Sequence, residues 1–211
     1  MMDVFIITPL SRPENFFKLL DSIRNDAKPY VNAYWVIVAD FEEDFTDRMP
    51  EPDAEKFKNE ILPYLIYNKI SISLVPSEHL GISGNPQRNH GLDLISGSAD
   101  SYVYFLDDDN LIHPQLFKVI SEYFTKEPGK AFVVNQVFKN GKRRLQASPN
   151  NIRVGGIDTA QVVLPVKLIG NTRWQNHNYC ADGEFIGEIY RNNPDKFLFL
   201  NLDISYYNYL R

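Results

Sequence analysis

The chain has 211 residues, a formal net charge of −5 and one cysteine. The acid excess argues against a nucleic-acid binder, which carries a basic surplus, and the lone Cys180 excludes an internal disulfide framework and fits a reducing, cytoplasmic setting. No run approaches the roughly 18 apolar residues of a membrane span, the start MMDVFIITPL lacks the basic leader of a signal peptide, and the length suits one domain over residues 1–211.

Val4–Thr8 (VFIIT) predicts a central parallel strand, because β-branched apolar residues suit a strand buried on both faces. Pro9 ends it. Ser11-Arg12-Pro13-Glu14 then opens a helix whose apolar positions Phe16, Phe17, Leu19, Leu20 and Ile23 recur at helical spacing. Arg12 in that loop is either an ordinary surface arginine, poorly placed for the helix dipole, or an anion ligand. Tyr34–Ala39 predicts a second strand with Asp40 at its end. The acidic, proline-broken segment 41–63 reads as a loop with a short helix near Asp53–Leu62, and Ile70–Val75 as a third strand. Strand–helix–strand units of this kind imply right-handed crossovers and a mostly parallel α/β sheet with helices on both faces.

His79–Ile95 joins a loop containing Gly81 and Gly84 to a helix that starts at Asn85-Pro86 and carries Gln87, Arg88 and Asn89. Helix starts and arginines both suit phosphate; the plainer reading is a glycine loop and a capped helix. Tyr102–Asn110 (YVYFLDDDN) is the most informative stretch. An apolar strand ends there in Asp107, Asp108 and Asp109, at the sheet edge where open α/β folds bind ligands. Adjacent carboxylates raise each other's pKa, and a magnesium or manganese ion would relieve that repulsion. The alternative is an acidic turn that caps a helix beginning near Pro114.

Pro114–Lys126 predicts an amphipathic helix and Ala131–Phe138 a strand. Lys139–Arg144 (KNGKRR) reads as a solvated hairpin tip. Gly155-Gly156-Ile157-Asp158 precedes an apolar strand, Ala160–Val166. In Trp174–Arg191 the polar, aromatic run before Asp182 reads as a substrate-facing loop. Asp182 and Glu184 flank Gly183, expected to let the backbone turn sharply. Either acid is a candidate general base, or both simply favour the dipole of the helix that follows. His113 and His177 read as satisfied surface histidines.

Together these stretches resemble the nucleotide-sugar glycosyltransferases of the GT-A fold, and the family 2 glycosyltransferases in particular. FLDDDN and PQRNHGL also resemble the inverting glucuronosyltransferases. The resemblance covers about the first 130 residues in order and ADGEF more loosely. It implies a GT-A domain with a nucleotide-binding half over residues 1–110 and an acceptor-side half over 111–211. Thr8, Pro9 and Arg12 would line the nucleotide pocket, and Asp40 would accept from the base. Arg88 would lie by the ribose or diphosphate. Asp107 and Asp108 would face the ribose and the metal's water shell. Asp109, with Asp107, would hold Mn2+ or Mg2+, and Asp182 or Glu184 would be the base. The implied reaction moves a sugar from a UDP- or GDP-sugar to a hydroxyl of a glycan or lipid-linked acceptor. Without an obvious second nucleophile the expected outcome is inversion. The small acceptor side leaves room for a second copy or partner. The family's C-terminal Gln-x-x-Arg-Trp is missing, which points away from membrane-bound polymerases. The rivals are a sugar nucleotidyltransferase, whose glycine-rich loop after the first strand has no counterpart in Pro9–Glu14, and a non-catalytic nucleotide- or sugar-binding relative.

Overall fold

The structure, a computed structural model, describes residues 1–40, 45–61, 66–67, 70–76, 84–95, 97–98, 100–175 and 181–211. Along the chain the described strands are β1 (Asp3–Leu10), β2 (Asn32–Ala39), β3 (Ile66–Tyr67), β4 (Ile70–Pro76), β5 (Tyr102–Phe105), β6 (Ala131–Val137), β7 (Arg143–Leu145), β8 (Val162–Pro165) and β9 (Phe197–Tyr206). The helices are α1 (Phe16–Ser22), α2 (Glu51–Lys56), α3 (Asn85–Ile95), α4 (Leu116–Lys126), α5 (Val166–Ile169) and α6 (Ala181–Asn192). All the strands join one sheet in the order β3-β4-β2-β1-β5-β8-β6-β7, with β9 paired to β6.

β1 pairs in parallel with β2 on one side and β5 on the other. β2 continues in parallel to β4. The chain therefore works outward from β1 through β2 and β4, then returns to the opposite side of β1 as β5. The strand order reverses at β1, and a cleft lies at the carboxyl ends of these strands. Beyond β5 the sheet turns antiparallel through β8, before β6 pairs in parallel with β9.

Alternation along β1 feeds two cores. Ile6 packs with Phe16, Leu20, Trp35, Tyr104 and Phe117 under α1 and α4. Ile7 packs with Leu92, Phe105, Trp174, Phe185 and Ile186 under α3 and α6. Full burial of each such side chain contributes about 1.5–3 kcal/mol, so the two layers clamp the sheet from both faces. The approach of α3 is close: a Cβ on Gly91 would lie 2.6 Å from Ile7 Cγ2.

The structure differs from the sequence reading in several places. The helix expected from Ser11 begins as a 3-10 turn, Pro13–Asn15, and ends as a π-helical turn, Ile23–Ala27. The expected strand Ala160–Val166 splits into a 3-10 turn, Thr159–Gln161, and the shorter β8. Its Asp158 cap satisfies the turn's N–H groups and delays entry into the sheet. β9 was not expected, although it is the longest described strand, at 10 residues. Its LNLDIS centre mixes exposed and buried residues because only part of it faces the core. Among the described residues, no helix is long and apolar enough to cross a membrane.

Candidate active site

A cleft of about 460 Å3 opens at the carboxyl ends of β1, β2 and β5. Pro9, Ser11 and Arg12 line it from the end of β1, Asp40 from the end of β2, and Asp107, Asp108 and Asp109 from the end of β5. Gly84, Asn85 and Arg88 come from the start of α3, and Asp182 from the start of α6. The far wall holds Arg144, Ile157 and Asp158, with Tyr207, Asn208 and Arg211 following β9.

The three acids of the triplet have different surroundings. Asp108 is buried and turned back onto the β1 loop. Its Oδ2 accepts from the backbone N–H of Ser11 at 2.6 Å, the Ser11 hydroxyl at 2.9 Å and the backbone N–H of Arg12 at 2.8 Å. Its Oδ1 pairs with the Arg12 guanidinium. Burial pushes its pKa up, and these donors pull the other way. Asp108 therefore organises the loop that carries Arg12. Asp109 accepts from Arg211 and lies 3.5 Å from Arg12. Burial, then the Asp107 charge, raise its pKa against both arginines. Asp107 is more open and takes Arg88 Nη2 at 2.5 Å.

Arg88 is held by α3. Its Nη1 donates to Asn85 Oδ1 at 3.1 Å, and its guanidinium lies over the Trp174 ring. Burial would lower its pKa, but the Asp107 and Asp182 charges outweigh that and keep it charged. Gly84, with a positive φ of 73°, lies close against β1: a Cβ there would sit 2.7 Å from Pro9 Cβ. Asp40 accepts from Gln87 Nε2 at 2.5 Å. Thr8 is fully buried, accepts from the Trp35 indole N–H at 2.9 Å, and does not line the cleft.

Asp182 sits opposite the triplet. Trp174 Nε1 donates to its Oδ1 at 3.2 Å. That indole stacks on Phe185 at 3.5 Å and is tied to α3, where Asn89 bonds its backbone N–H at 2.8 Å and its carbonyl at 2.9 Å. Trp174 is thus a buried strut that orients Asp182, which corrects its assignment to a substrate-facing loop. The rest of that assignment, residues 176–180 with His177 and Cys180, lies outside the described residues, as does the loop with His79 and Gly81. Burial, opposed by Arg88 and reinforced by Asp158 and Asp107, raises the Asp182 pKa to about 6. Glu184, in the same first turn, does not line the cleft.

Gly183 lies inside α6 without a positive φ. The expected sharp turn is replaced by a close approach: a Cβ there would fall 2.5 Å from Val154 Cα. His113 Nδ1 accepts from the Gln115 backbone N–H at 3.1 Å and its ring packs on Tyr206, outside the cleft. The expected solvated hairpin holds for Lys139–Gly141, which are exposed. Arg144 instead turns inward, its guanidinium 3.7 Å from the Tyr207 ring centroid. Sequence reasoning missed Arg144, Asp158, Tyr207 and Arg211. The GGID tetrapeptide was a visible signal for Asp158, whereas the other three enter the cleft through strand pairing alone.

A mostly parallel sheet whose order reverses beside an acid-tipped strand, with arginines and aspartates lining the cleft at that edge, is the architecture of the GT-A glycosyltransferases. The chain belongs to glycosyl transferase family 2, whose model matches residues 6–187. The first 349 residues of S. aureus TarS share its fold, with a TM-score of 0.71, 17% identity and 98% of this chain covered. Crystal structures of that fragment with UDP-GlcNAc and with UDP match at TM-scores of 0.71 and 0.67. The chain spans 60% of the TarS fragment. Among curated proteins none matches the chain.

Proposed function

We propose that this domain transfers a sugar from a nucleoside-diphosphate sugar, UDP- or GDP-linked, to an acceptor hydroxyl on a glycan or lipid carrier with inversion. The observation that carries the reading is Asp182. It is a carboxylate with a pKa near 6, oriented by a buried indole, in the same cleft as Arg12, Arg88 and the Asp107–Asp109 triplet. A base poised near the working pH is what proton removal from an alcohol requires. In the step itself the acceptor O–H proton passes to Asp182 and the acceptor oxygen bonds to the anomeric carbon. The bond from that carbon to the diphosphate oxygen breaks, and the diphosphate leaves with the electron pair. Attack on the face away from the leaving group inverts the centre. Arg12 and Arg88, both in the cleft lining, would offset the charge that grows on the departing diphosphate. Asp40, at the end of β2, would accept from a base ring N–H. UDP and UDP-GlcNAc in the TarS crystals support the donor class.

Mn2+ or Mg2+ fits the donor set. Asp107 and Asp109 both line the cleft and offer hard oxygens, while Asp108 is consumed by the Ser11 loop. Among the described residues no group of three or more His, Cys, Asp or Glu could hold a metal ion, so a cation here would need substrate phosphates to complete its ligands. When bound, the ion would neutralise charge on the diphosphate.

The test is calorimetry with UDP and GDP in Mn2+, together with release of nucleoside diphosphate from a panel of nucleotide-sugars. Asp109→Ala should abolish the metal-dependent part of nucleotide binding. Asp182→Asn should cut transfer roughly a hundredfold or more while leaving nucleotide affinity unchanged. Full transfer by both Asp182→Asn and Glu184→Gln removes the mechanism. Pyrophosphate-dependent nucleotide exchange would make the domain a nucleotidyltransferase, and binding without turnover a non-catalytic relative.

A further inference from the structure

Between the triplet and Asp182 the cleft wall carries a second charged pair. Asp158 and Arg144 have side chains only 16% and 28% exposed. Arg144 Nη1 donates to Asp158 Oδ2 at 3.0 Å and to the buried Gln136 Oε1 at 2.5 Å. The guanidinium lies against the Tyr207 ring, which fixes its plane. Asp158 Oδ1 accepts from the Ala160 N–H at 3.0 Å, so the carboxylate is held at both oxygens. Among the described residues no hydrogen bond engages Arg144 Nε or Nη2, and Asp158, which takes Arg144, Ala160 and the Gln136 side chain, keeps acceptor capacity on a carboxylate of about four lone-pair sites. Both residues line the cleft. After burial, Asp107 is the strongest influence that raises the Asp158 pKa, and Asp158 in turn raises that of Asp182. The pair thus shares one cleft with the acid triplet and with Asp182, and in the proposed reaction the transferred sugar lies in that cleft.

We propose that the Arg144–Asp158 pair is a donor-sugar subsite that holds ring hydroxyls and decides which sugar is accepted. This rests on the nucleotide-sugar reading above. A pyranose presents hydroxyls that each donate and accept, and the pair offers a fixed acceptor beside fixed donors. Sites built to bond a hydroxyl reject analogues lacking it, because the buried polar groups are left unpaired. A nucleotide alone makes no use of the pair, so sugar recognition separates from nucleotide binding.

Asp158 also caps the Thr159–Gln161 turn, so two variants are needed. Asp158→Asn keeps a cap oxygen but loses the charge that pairs with Arg144. Arg144→Gln leaves the cap untouched. Both are titrated in Mn2+ with UDP, GDP, UDP-glucose, UDP-galactose, UDP-N-acetylglucosamine and GDP-mannose, alongside thermal denaturation. The expected result is unchanged affinity for the free nucleotide in both. The favoured nucleotide-sugar should lose roughly tenfold or more in affinity, with the preference among sugars flattened. Sugar preference that survives in both variants overturns the subsite. Free-nucleotide and nucleotide-sugar affinities that fall together, with a lowered thermal midpoint in Arg144→Gln, assign the pair a structural role and overturn it too. A wild-type chain that binds neither UDP nor GDP defeats the nucleotide-sugar reading itself, and the subsite with it.

Discussion

At the scale of single residues, Asp182 shows how the fold sets a functional property. Its carboxyl is raised to about 6 because burial and two neighbouring acids outweigh Arg88. In the proposed mechanism the ionised form is the base, so transfer rate should rise with pH through about 6 and level off above it. Stability should run the other way. Between the unfolded value near 3.9 and the folded value, the native state binds the extra proton, so stability falls as pH rises through that window. Asp182→Asn removes the titration and should flatten both profiles, to be read by initial rates and by urea unfolding at pH 4.5 and 7.5. An unchanged stability slope in the variant would contradict the assignment. Asp40 offers a second check. In the proposed base pocket Asp40 accepts from a base ring N–H, and removing that charged hydrogen bond should weaken nucleotide binding by about 1.5–3 kcal/mol. An Asp40→Ala chain with wild-type UDP and GDP affinity would take it out of the base pocket.

Among the elements, α6 brings Asp182 into the cleft only because its first turn lies against the backbone of residues 153–154. Gly183 permits that contact: an added Cβ would meet Val154 Cα and N, each at 2.5 Å. Backbone has no rotamer to give, so Gly183→Ala should cost about 1–3 kcal/mol in overpacking and displace Asp182 with the helix. The expected outcome in urea denaturation and turnover assays is a loss of stability accompanied by a drop in rate without loss of nucleotide affinity. Gly91→Ala is the control on α3. Its Cβ meets only the Ile7 side chain, at 2.6 Å from Cγ2, and should destabilise less. Equal losses at the two positions would mean that the α6 contact yields more readily than its backbone geometry implies.

Over the whole molecule, a chain with a net charge of −5 turns Arg12, Arg88 and Arg211 onto the acid triplet in one cleft. The same cleft carries Asp40, Asp107, Asp108, Asp109, Asp158 and Asp182, so attraction for an anionic nucleotide comes from the individual guanidinium groups and from a cation bound at the triplet. Nucleotide affinity should therefore weaken with ionic strength, but less than for an open basic surface, because Arg88 is buried and poorly screened. Titrating UDP from low salt to about 0.5 M checks this, where the Debye length falls below the roughly 8 Å of physiological salt. Affinity independent of salt would remove the arginines from the site.

The sequence alone determined the sheet's first half and the ligand edge. β-Branched runs that end in Pro9, Asp40 and Asp107–Asp109 can be read locally, because a strand buried on both faces has few other ways to be written and its terminal charges must face the edge. Arg88 on α3 and the two acids of α6 were equally legible, since helix starts carry their own signals. Tertiary structure alone decided the rest. Asp108 is tied to the loop after β1 because three donors from Ser11 and Arg12 converge on it across the sheet. Trp174 entered the core through its stack on Phe185. Asp182, not Glu184, faces the cleft because of the way α6 packs against residues 153–154. Arg144, Tyr207 and Arg211 arrive only through the pairing of β6 with β7 and β9. These contacts join residues far apart in the chain, and no local pattern records them, because their stability depends on surfaces that exist only once the sheet has formed.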